Sequence, residues 1–295
     1  MTVTNARGFT LIELVLVMVL VGILAGIFAP LIARPVEAFF AEARRGQLVD
    51  TAQVALDRMS REIRLAVPNS VRVDPTGRVV EFLRTIDGGR YRTAPNGLLG
   101  DSLNFSISDT SFDVIGNLAT GSQLNVPATC AKEGKCYVVV GNEGPGTGAD
   151  AFNGDDIASI NQCLAGSAIA LDGSDHIVIQ SLLGLLGGKK FPQPSPNQRF
   201  QIVDTPVTYL CDPTAGTLRR YDGYTIMADQ SDVDTDTKLT GLPNPAESSL
   251  MGDDVAGCSF SFDASASYLL TASLTLSQDG EQITLLKKVR VENQP

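Results

Sequence analysis

The sequence of 295 residues contains no tryptophan and a single histidine, His176. A Ser-His-Asp catalytic arrangement would have to use this histidine, because no other is present. His176 follows Asp175 at the start of an apolar segment, but no G-x-S-x-G motif accompanies it. We interpret His176 as a residue at the surface or at the edge of a strand, and we expect the protein not to be an enzyme.

Sequence signatures of zinc and phosphate binding are also missing. There is no C-x-x-C pair, and a single histidine supplies a tetrahedral zinc site poorly. Gly188 and Lys189 form a Gly-Lys step, but Leu183 stands where a phosphate-binding loop needs a glycine. We therefore expect no cofactor.

An acidic segment, DVDTDTKLTG, places Asp232, Asp234 and Asp236 at alternate positions. Calcium binds several such oxygen ligands. An EF-hand needs a glycine after the third acid and a bidentate glutamate later, where this sequence has Thr237 and Pro243. The three aspartates remain candidate calcium ligands, with a solvated acidic loop as the default interpretation.

Positive charge is scarce, since 23 lysines and arginines stand against 33 acidic residues and give a net charge of −10. Such a surface does not attract a polyanion, so we expect no nucleic-acid partner. The length allows one large domain or two small ones.

Near its start the sequence has a long apolar run. Residues 1–8 are polar, and the twenty residues from Leu14 to Ala33 carry no charge. Twenty helical residues span about 30 Å, the thickness of the hydrocarbon core of a bilayer. Glu13 precedes the run, although an unpaired acid near the bilayer centre costs roughly 2.5–3.5 kcal/mol. We expect residues 9–33 to form a transmembrane helix in which Glu13 has a function.

The helix is predicted to continue as an amphipathic segment over residues 34–67. Apolar residues recur there every three or four positions, which places them on one face. They are Leu48, Ala52, Ala55, Met59, Ile63 and Ala66. Pro30 and Pro35 are expected to kink or loosen the helix, and Pro68 to end it.

From residue 68 to residue 295 the apolar pattern has a period of two, which is typical of strands. The clearest case is a hairpin of residues 270–277 and 282–291 around the turn Asp279-Gly280. Residues 207–211 and 217–224 predict a second hairpin. Further strands are predicted at 78–84, 102–107, 136–140, 176–180 and 257–263.

No alternation of strands and helices is present in this region, so we expect an antiparallel β-sheet domain packed on the long helix, an α+β fold. Residues 141–156 and 228–249 are rich in polar residues and are predicted to be long loops.

Five cysteines follow the apolar segment. Export would permit disulfides, and an odd number leaves one thiol over. We expect Cys130 to pair with Cys136, which closes a small loop, and Cys211 to pair with Cys258, which joins two predicted strands. Cys163 is then left over. The sequence alone does not fix this connectivity.

The segment GFTLIELV, residues 8–15, resembles the prepilin N terminus of type IV pilins and type II secretion pseudopilins. The resemblance implies that a prepilin peptidase cuts after Gly8, removes residues 1–8 as a leader peptide and methylates the new amine of Phe9. It also implies that the carboxylate of Glu13 pairs with the Phe9 amine of its own or a neighbouring subunit during assembly.

Residues 55–73 and 207–221 resemble the J-type minor pseudopilins and their pilus relatives. The segment from Cys258 onward is similar to minor pilins of the mannose-sensitive haemagglutinin (MSHA) type IV pilus, in particular those of the O type. These resemblances imply a minor pilin that helps to initiate and assemble a filament, with a J-like minor pseudopilin of a type II secretion system as the alternative.

The same resemblance implies the partners and the location. The partners are prepilin peptidase, other major and minor pilins, an inner-membrane assembly platform and membrane lipid. The location is the bacterial inner membrane, with the globular domain in the periplasm, and afterwards an extracellular or periplasmic filament.

Overall fold

The computed structural model of the protein describes residues 10–95, 100–118, 136–164, 174–181, 188–263 and 268–291. For residues 29, 30, 32–34, 161–164 and 181 it describes the backbone only. One long N-terminal helix is followed by antiparallel strands, so the predicted α+β class is confirmed. The expected leader peptide and Phe9 lie outside the described residues.

Helix α1 runs from Leu11 to Ile63 and includes 53 residues. Thr10 caps its N terminus with an extended backbone, and its Oγ1 accepts a hydrogen bond from the N–H of Glu13 at 3.3 Å. This cap satisfies one of the N–H groups that a helix leaves free at its start. The helix continues without interruption through both prolines, at positions 30 and 35.

The helix ends four residues before the predicted boundary at Val67. The N–H of Leu65 donates to Glu62 O and that of Ala66 to Ile63 O, which are the tighter turns common at helix ends. The N–H of Val67 then donates to Leu83 O at 2.9 Å, so the chain joins the sheet domain directly.

The strands follow in chain order. They are β1 (Arg72–Val73), β2 (Val79–Arg90), β3 (Ser111–Asp113), β4 (Tyr137–Val139), β5 (Ile157–Leu164), β6 (His176–Ser181), β7 (Arg199–Asp212), β8 (Thr217–Asp222), β9 (Glu247–Gly252), β10 (Val255–Asp263), β11 (Leu269–Gln278) and β12 (Glu281–Arg290). Two short 3-10 helices span Pro196–Gln198 and Gln230–Val233, and helix α2 spans Asp236–Gly241.

Nine of the described strands form one large antiparallel sheet. Its order is β1-β2-β7-β4-β5-β6-β3, with β8 paired to β7 and β9 paired to β8. Strand β7 has 14 residues, and this length lets it pair with two different strands along one of its edges. Residues 201–203 pair with β4 and residues 208–212 pair with β8, while β2 lies along the other side.

A second sheet contains β10, β11 and β12 in that order. The C-terminal half of α1 packs between this small sheet and the large one, and the three layers share one hydrophobic core. Side chains from all three layers, such as Met59, Phe82 and Leu274, are at most 1% exposed. The predicted hairpin is therefore the element that holds the helix from one side.

A separate core lies farther along the large sheet, between β2, β3, β4, β5, β6 and β7. The predicted strand at 102–107 is wrong, because this segment is a bend. Its apolar side chains Leu103 and Phe105 still pack in this second core, which explains the alternating pattern. The side chains of Asn104 and Asp109 accept hydrogen bonds from the N–H groups of Ser106 and Asn104, so local turns replace the strand ladder.

Residues 228–249 are more ordered than the predicted long loop. They contain a 3-10 helix, helix α2 and the start of β9. Thr235 caps α2, and the side chain of Leu239 is fully buried against Tyr221 and Tyr224 of the large sheet region. Residues 141–156 are a loop, as predicted.

Candidate assembly surface on helix α1

The first third of α1 is an apolar surface on which no other described residue packs. Its segment Leu11–Phe28 has a mean hydropathy of 2.9 and is 0% buried, and it is long and apolar enough to cross a membrane. Leu11 is 81% exposed and Met18 is 69% exposed. A continuous apolar surface of this size marks a site for lipid or protein.

Glu13 lies in the first turn of this exposed segment. Its carboxylate is close to the N-terminal end of the helix, where the aligned peptide dipoles favour a negative charge. The Thr10 cap fixes the backbone around it. The structure therefore presents Glu13 as an exposed acid at the tip of an apolar helix.

Two glycines, Gly22 and Gly26, lie four residues apart in the same segment. Apart from the adjacent residues and the backbone of the helix itself, no atom lies within 4 Å of the position that a Cβ would take at either of them. Each glycine costs about 1 kcal/mol relative to alanine inside a helix. Small residues four apart allow two helix backbones to approach closely in a membrane, which suits a surface made for helix contact.

The exposed surface continues beyond the apolar segment. Phe39 is 71% exposed and Phe40 is 55% exposed, and their ring centroids lie 6.0 Å apart. The first buried side chain of the helix is that of Leu48, which is 4% exposed. Leu31 and residues 35–40 are exposed as well, and Arg45 is already paired with Glu281 of the β domain.

The second half of α1 is fixed in the domain by the stripe that the sequence predicts. All six predicted residues are buried, with exposures of 6% or less. They are Leu48, Ala52, Ala55, Met59, Ile63 and Ala66. The three- and four-residue periodicity thus correctly identified the buried face.

Ion pairs tie the helix to strand β12 at two levels. Arg45 Nη2 lies 2.7 Å from Glu281 Oε2, and Lys287 Nζ lies 2.7 Å from Asp57 Oδ1. The hydrogen bond from Lys287 lowers the pKa of Asp57. Helix and strand therefore run in the same direction, and the pairs set their register.

Glu62 connects the end of the helix to the large sheet. Its Oε2 accepts hydrogen bonds from Arg220 Nε at 2.7 Å and from the hydroxyl of Tyr209 at 2.8 Å. Burial alone would raise the pKa of Glu62, but these two hydrogen bonds and the charge of Arg220 hold it below its ordinary value. Glu62 is therefore an ionised anchor of α1.

Two of the predicted disulfide cysteines are joined in the structure. Cys211 of β7 and Cys258 of β10 form a disulfide with a Cα–Cα distance of 6.5 Å, which links the large sheet to the small one. Cys136 is also disulfide-bonded, but its partner is not among the described side chains. Cys130 lies outside the described residues, and only the backbone of Cys163 is described, in β5.

Of the two predicted places for His176, the surface is wrong, whereas a position at the end of a strand is what the structure has. His176 is 5% exposed at the start of β6, and its Nδ1 lies 2.8 Å from Oδ1 of the fully buried Asp113 in β3. The N–H of Asp101 donates to the other oxygen of Asp113 at 2.8 Å. The histidine therefore has a buried structural partner, and the pairing of β3 with β6 is what brings the two together.

The three candidate calcium ligands are not assembled into one site. Asp232 lies in a 3-10 helix, Asp234 Oδ1 accepts a hydrogen bond from Lys238 Nζ at 2.7 Å, and Asp236 Oδ1 accepts one from the hydroxyl of Tyr221. Across the described parts of the chain, no group of three His, Cys, Asp or Glu residues could hold a metal ion. The segment is also not the solvated loop of the default interpretation, because Asp232 and Asp236 lie in short helices.

One buried acid was not singled out by the sequence. Asp156, just before β5, is fully buried, and neither carboxylate oxygen has a hydrogen-bond partner. Burial raises its pKa to about 8, and the nearby carboxylates of Asp150 and Asp155 act in the same direction, against Lys189. In the sequence Asp156 is one of several acids in a Gly-rich loop, so no signal distinguished it.

A buried ion pair was also missed. Arg72 pairs with the fully buried Glu81 at 2.8 Å, and the hydroxyl of Tyr224 donates to the same carboxylate at 2.9 Å. The guanidinium of Arg72 also lies 3.6 Å from the ring centroid of Phe152. This cluster fixes the loop of residues 141–156 against β1 and β2. The sequence did not predict this ion pair, because a single arginine near the start of a strand does not indicate which residue it pairs with.

An exposed apolar N-terminal helix whose second half is embedded in an antiparallel β domain is consistent with a pilin-like α+β fold. Residues 3–29 match the family model described as the prokaryotic N-terminal methylation motif. This match supports the place of the chain in the type IV pilin and pseudopilin family. Comparisons with curated proteins and with solved structures give no match.

Proposed function

We propose that the protein is a minor subunit of an MSHA-like type IV pilus, which contributes to the initiation and assembly of the filament. The observation that carries the pilin part of the proposal is the methylation motif at residues 3–29, whose residues 11–29 lie on a helix with an exposed apolar segment and a domain-bound segment. Such a chain can be anchored, or packed in a filament core, by one half of the helix while it presents the domain outside.

The alternative is a J-like minor pseudopilin of a type II secretion system, because the methylation motif is common to both classes. The large β domain and the MSHA-like C-terminal segment favour the pilus. Sheared surface filaments and culture supernatants of cells that lack the protein separate the two. We expect loss of surface pili with normal protein secretion, and the reverse result supports the pseudopilin.

In this proposal prepilin peptidase removes residues 1–8 and methylates Phe9, and the inner-membrane assembly platform then moves the subunit into the filament. The domain lies in the periplasm before assembly. The Cys211–Cys258 disulfide supports an exported domain, because such bonds persist in oxidising compartments.

Replacing Gly8 with valine tests the processing step. A β-branched side chain at the cleavage position should block the peptidase, so that the protein keeps its leader and migrates as a precursor about eight residues heavier. Intact-mass measurement of the membrane fraction identifies both species. A Gly8→Val protein with the same mature mass as the wild type contradicts the leader assignment.

Replacing Glu13 with leucine tests the assembly step. The methylated amine of Phe9 would then be unpaired in apolar surroundings, which costs about 3 kcal/mol or more. Filament incorporation should therefore fall by about a hundredfold or more, while membrane insertion is retained.

The matched control is Glu37→Leu, which removes another exposed acid from the same helix. We expect this variant to enter filaments at the wild-type level. Normal incorporation of Glu13→Leu, measured by immunoblots of sheared filaments, counts against the pairing of Glu13 with the amine.

A further inference from the structure

The free strand edges of the two sheets are not alike. Those of β1, β3 and β9 have two, three and six residues. The edge of β10 has a register shift, is tied to β7 by the disulfide, and donates the N–H of Phe260 to Gly77 O at 2.7 Å. Short, irregular or covered edges are the usual protection against unwanted pairing.

Strand β12 lacks these protections along most of its length. It has ten residues, its ladder with β11 has no register shift, and no other described strand pairs with it. It is therefore the longest regular open edge among the residues that the structure describes.

The register identifies the backbone groups that face outward from this edge. The turn Asp279-Gly280 closes on the pair Gln278–Glu281, and alternate residues of an outer strand point their N–H and C=O groups away from the partner strand. The N–H of Ser277, opposite Gln282, donates to Asp254 O at 2.8 Å and so points away from β12. The outward groups belong to Gln282, Thr284, Leu286, Lys288 and Arg290.

The side chains at these five positions are all exposed. Leu286 is 60% exposed, and Lys288 and Arg290 have no ion-pair partner among the described residues. None of the five is acidic, although the whole chain carries a net charge of −10. The edge therefore suits an extended segment with an apolar residue beside an acidic one.

The position of the edge indicates where that segment comes from. The pairs Arg45–Glu281 and Asp57–Lys287 hold β12 alongside α1. The start of β12 therefore lies at the level of Arg45, five residues after the exposed Phe40 of α1. A subunit that packs along α1 as far as the domain would meet this edge.

We propose that the free edge of β12 is a docking site for an extended acidic segment of a neighbouring filament subunit. The segment pairs with the outward backbone groups of β12, places an apolar side chain against Leu286 and sets a carboxylate near Lys288 and Arg290. This inference rests on the proposed function, because it takes the partner to be a subunit of the same filament.

Proline substitutions test the backbone pairing. Thr284→Pro and Lys288→Pro each remove one outward N–H and leave the ladder with β11 complete, and proline is tolerated at such edge positions. We expect each to reduce filament incorporation of the full-length chain at least tenfold. Thr284→Ala, which keeps the N–H, is the matched control and should stay within twofold of the wild type.

The melting temperature of each detergent-solubilised variant shows whether its domain is intact. Proline variants that melt like the wild type and enter filaments normally overturn the proposal. Should the proline variants fail to fold, the charge reversal Arg290→Glu tests the same edge without a backbone change. Its incorporation should fall at least tenfold, and unchanged incorporation overturns the proposal.

A photo-crosslinking amino acid identifies the occupant. Placed at Leu286 in the full-length chain, it should crosslink to an extended segment of another subunit that carries the N-terminal methylation motif. Placed at the exposed Ser259 of β10, it should not. Crosslinks from position 286 only to lipid, or no crosslink in assembled filaments, contradict the proposal. If the wild-type chain is absent from filaments, the proposed function itself is wrong, so the two failures are distinguishable.

Discussion

The two halves of helix α1 are both rich in apolar residues, yet they are used in opposite ways. In Leu11–Phe28 the apolar side chains surround the helix and all are exposed. In the second half they form one stripe, and the residues of that stripe are buried between two sheets. The difference teaches that the arrangement of apolar residues, more than their number, decides whether a helix segment serves a domain core or a membrane or filament.

The largest expected loss of stability comes from removing the covalent link between the two sheets that enclose the second half of α1. Cys211→Ser combined with Cys258→Ser removes a disulfide that closes a 47-residue separation between the two sheets. The chain-entropy model gives a loss of about 4 kcal/mol for a loop of this length. Urea unfolding of the solubilised chain measures it, and membrane insertion by the first half should not change. Equal stability of the oxidised wild type and the double variant would show that the disulfide is not needed.

Two methionines, one in each half of α1, allow the contributions of the two halves to domain stability to be compared. Met59 is 1% exposed in the shared core, and Met18 is 69% exposed in the apolar segment. Met59→Ala should destabilise the domain by about 3 kcal/mol, as large-to-small changes in cores do. Met18→Ala should leave the unfolding midpoint of the domain unchanged. Similar shifts for both variants would mean that the first half also packs on the domain.

Replacing Asp156, in the loop before β5, should raise the stability of the domain, whereas the two preceding changes lower it. Its pKa is raised to about 8, so its contribution to stability is complete below the ordinary carboxyl pKa near 4 and is lost as the pH rises to 8. Asp156→Asn should stabilise the domain by about 2 kcal/mol at pH 7, since the amide needs no proton, although it also lacks a partner. Thermal unfolding from pH 4 to pH 9 should show a weaker decline for the variant. Parallel curves for the two proteins contradict this.

The smallest expected effect concerns Glu62 at the domain end of α1. Its pKa is lowered, so its contribution is present above the unfolded-state pKa near 4.3 and is lost as the pH falls through the folded-state value. Glu62→Gln should destabilise the domain by about 1 kcal/mol at pH 7, because the charged acceptor of Arg220 is replaced by a neutral one. The difference from the wild type should shrink in acid, and a constant difference down to pH 3 argues against an ionic role.

The sequence predicts elements well where local pattern and burial coincide. The stripe of α1 and the hairpin of β11 and β12 follow regular periods and are found as predicted. Strand β5 was missed because its ladder has a register shift between Ile160 and Gln162, which interrupts the alternation. Strand β9 was missed because it lies in a polar, acidic stretch.

The buried polar contacts were the least predictable part of the site. His176 and Asp113 are 63 residues apart in sequence, and Arg220 reaches Glu62 over 158 residues. Such pairs depend on which strands become neighbours, and a single sequence does not reveal this. The apolar segment and Glu13, in contrast, are local features, so the candidate assembly surface could be described before the fold.

The length of α1 between residue 33, the predicted end of the transmembrane segment, and Arg45, which pairs with Glu281 of β12, has one more consequence. These twelve residues of helix measure about 18 Å, so in an anchored state the start of β12 stands about that far from the end of the transmembrane segment. A second subunit in the same bilayer can contact this domain only if its own domain stands at a comparable height. The length of this helical segment thus limits which subunits can contact the domain, independent of the chemistry of the surfaces that meet.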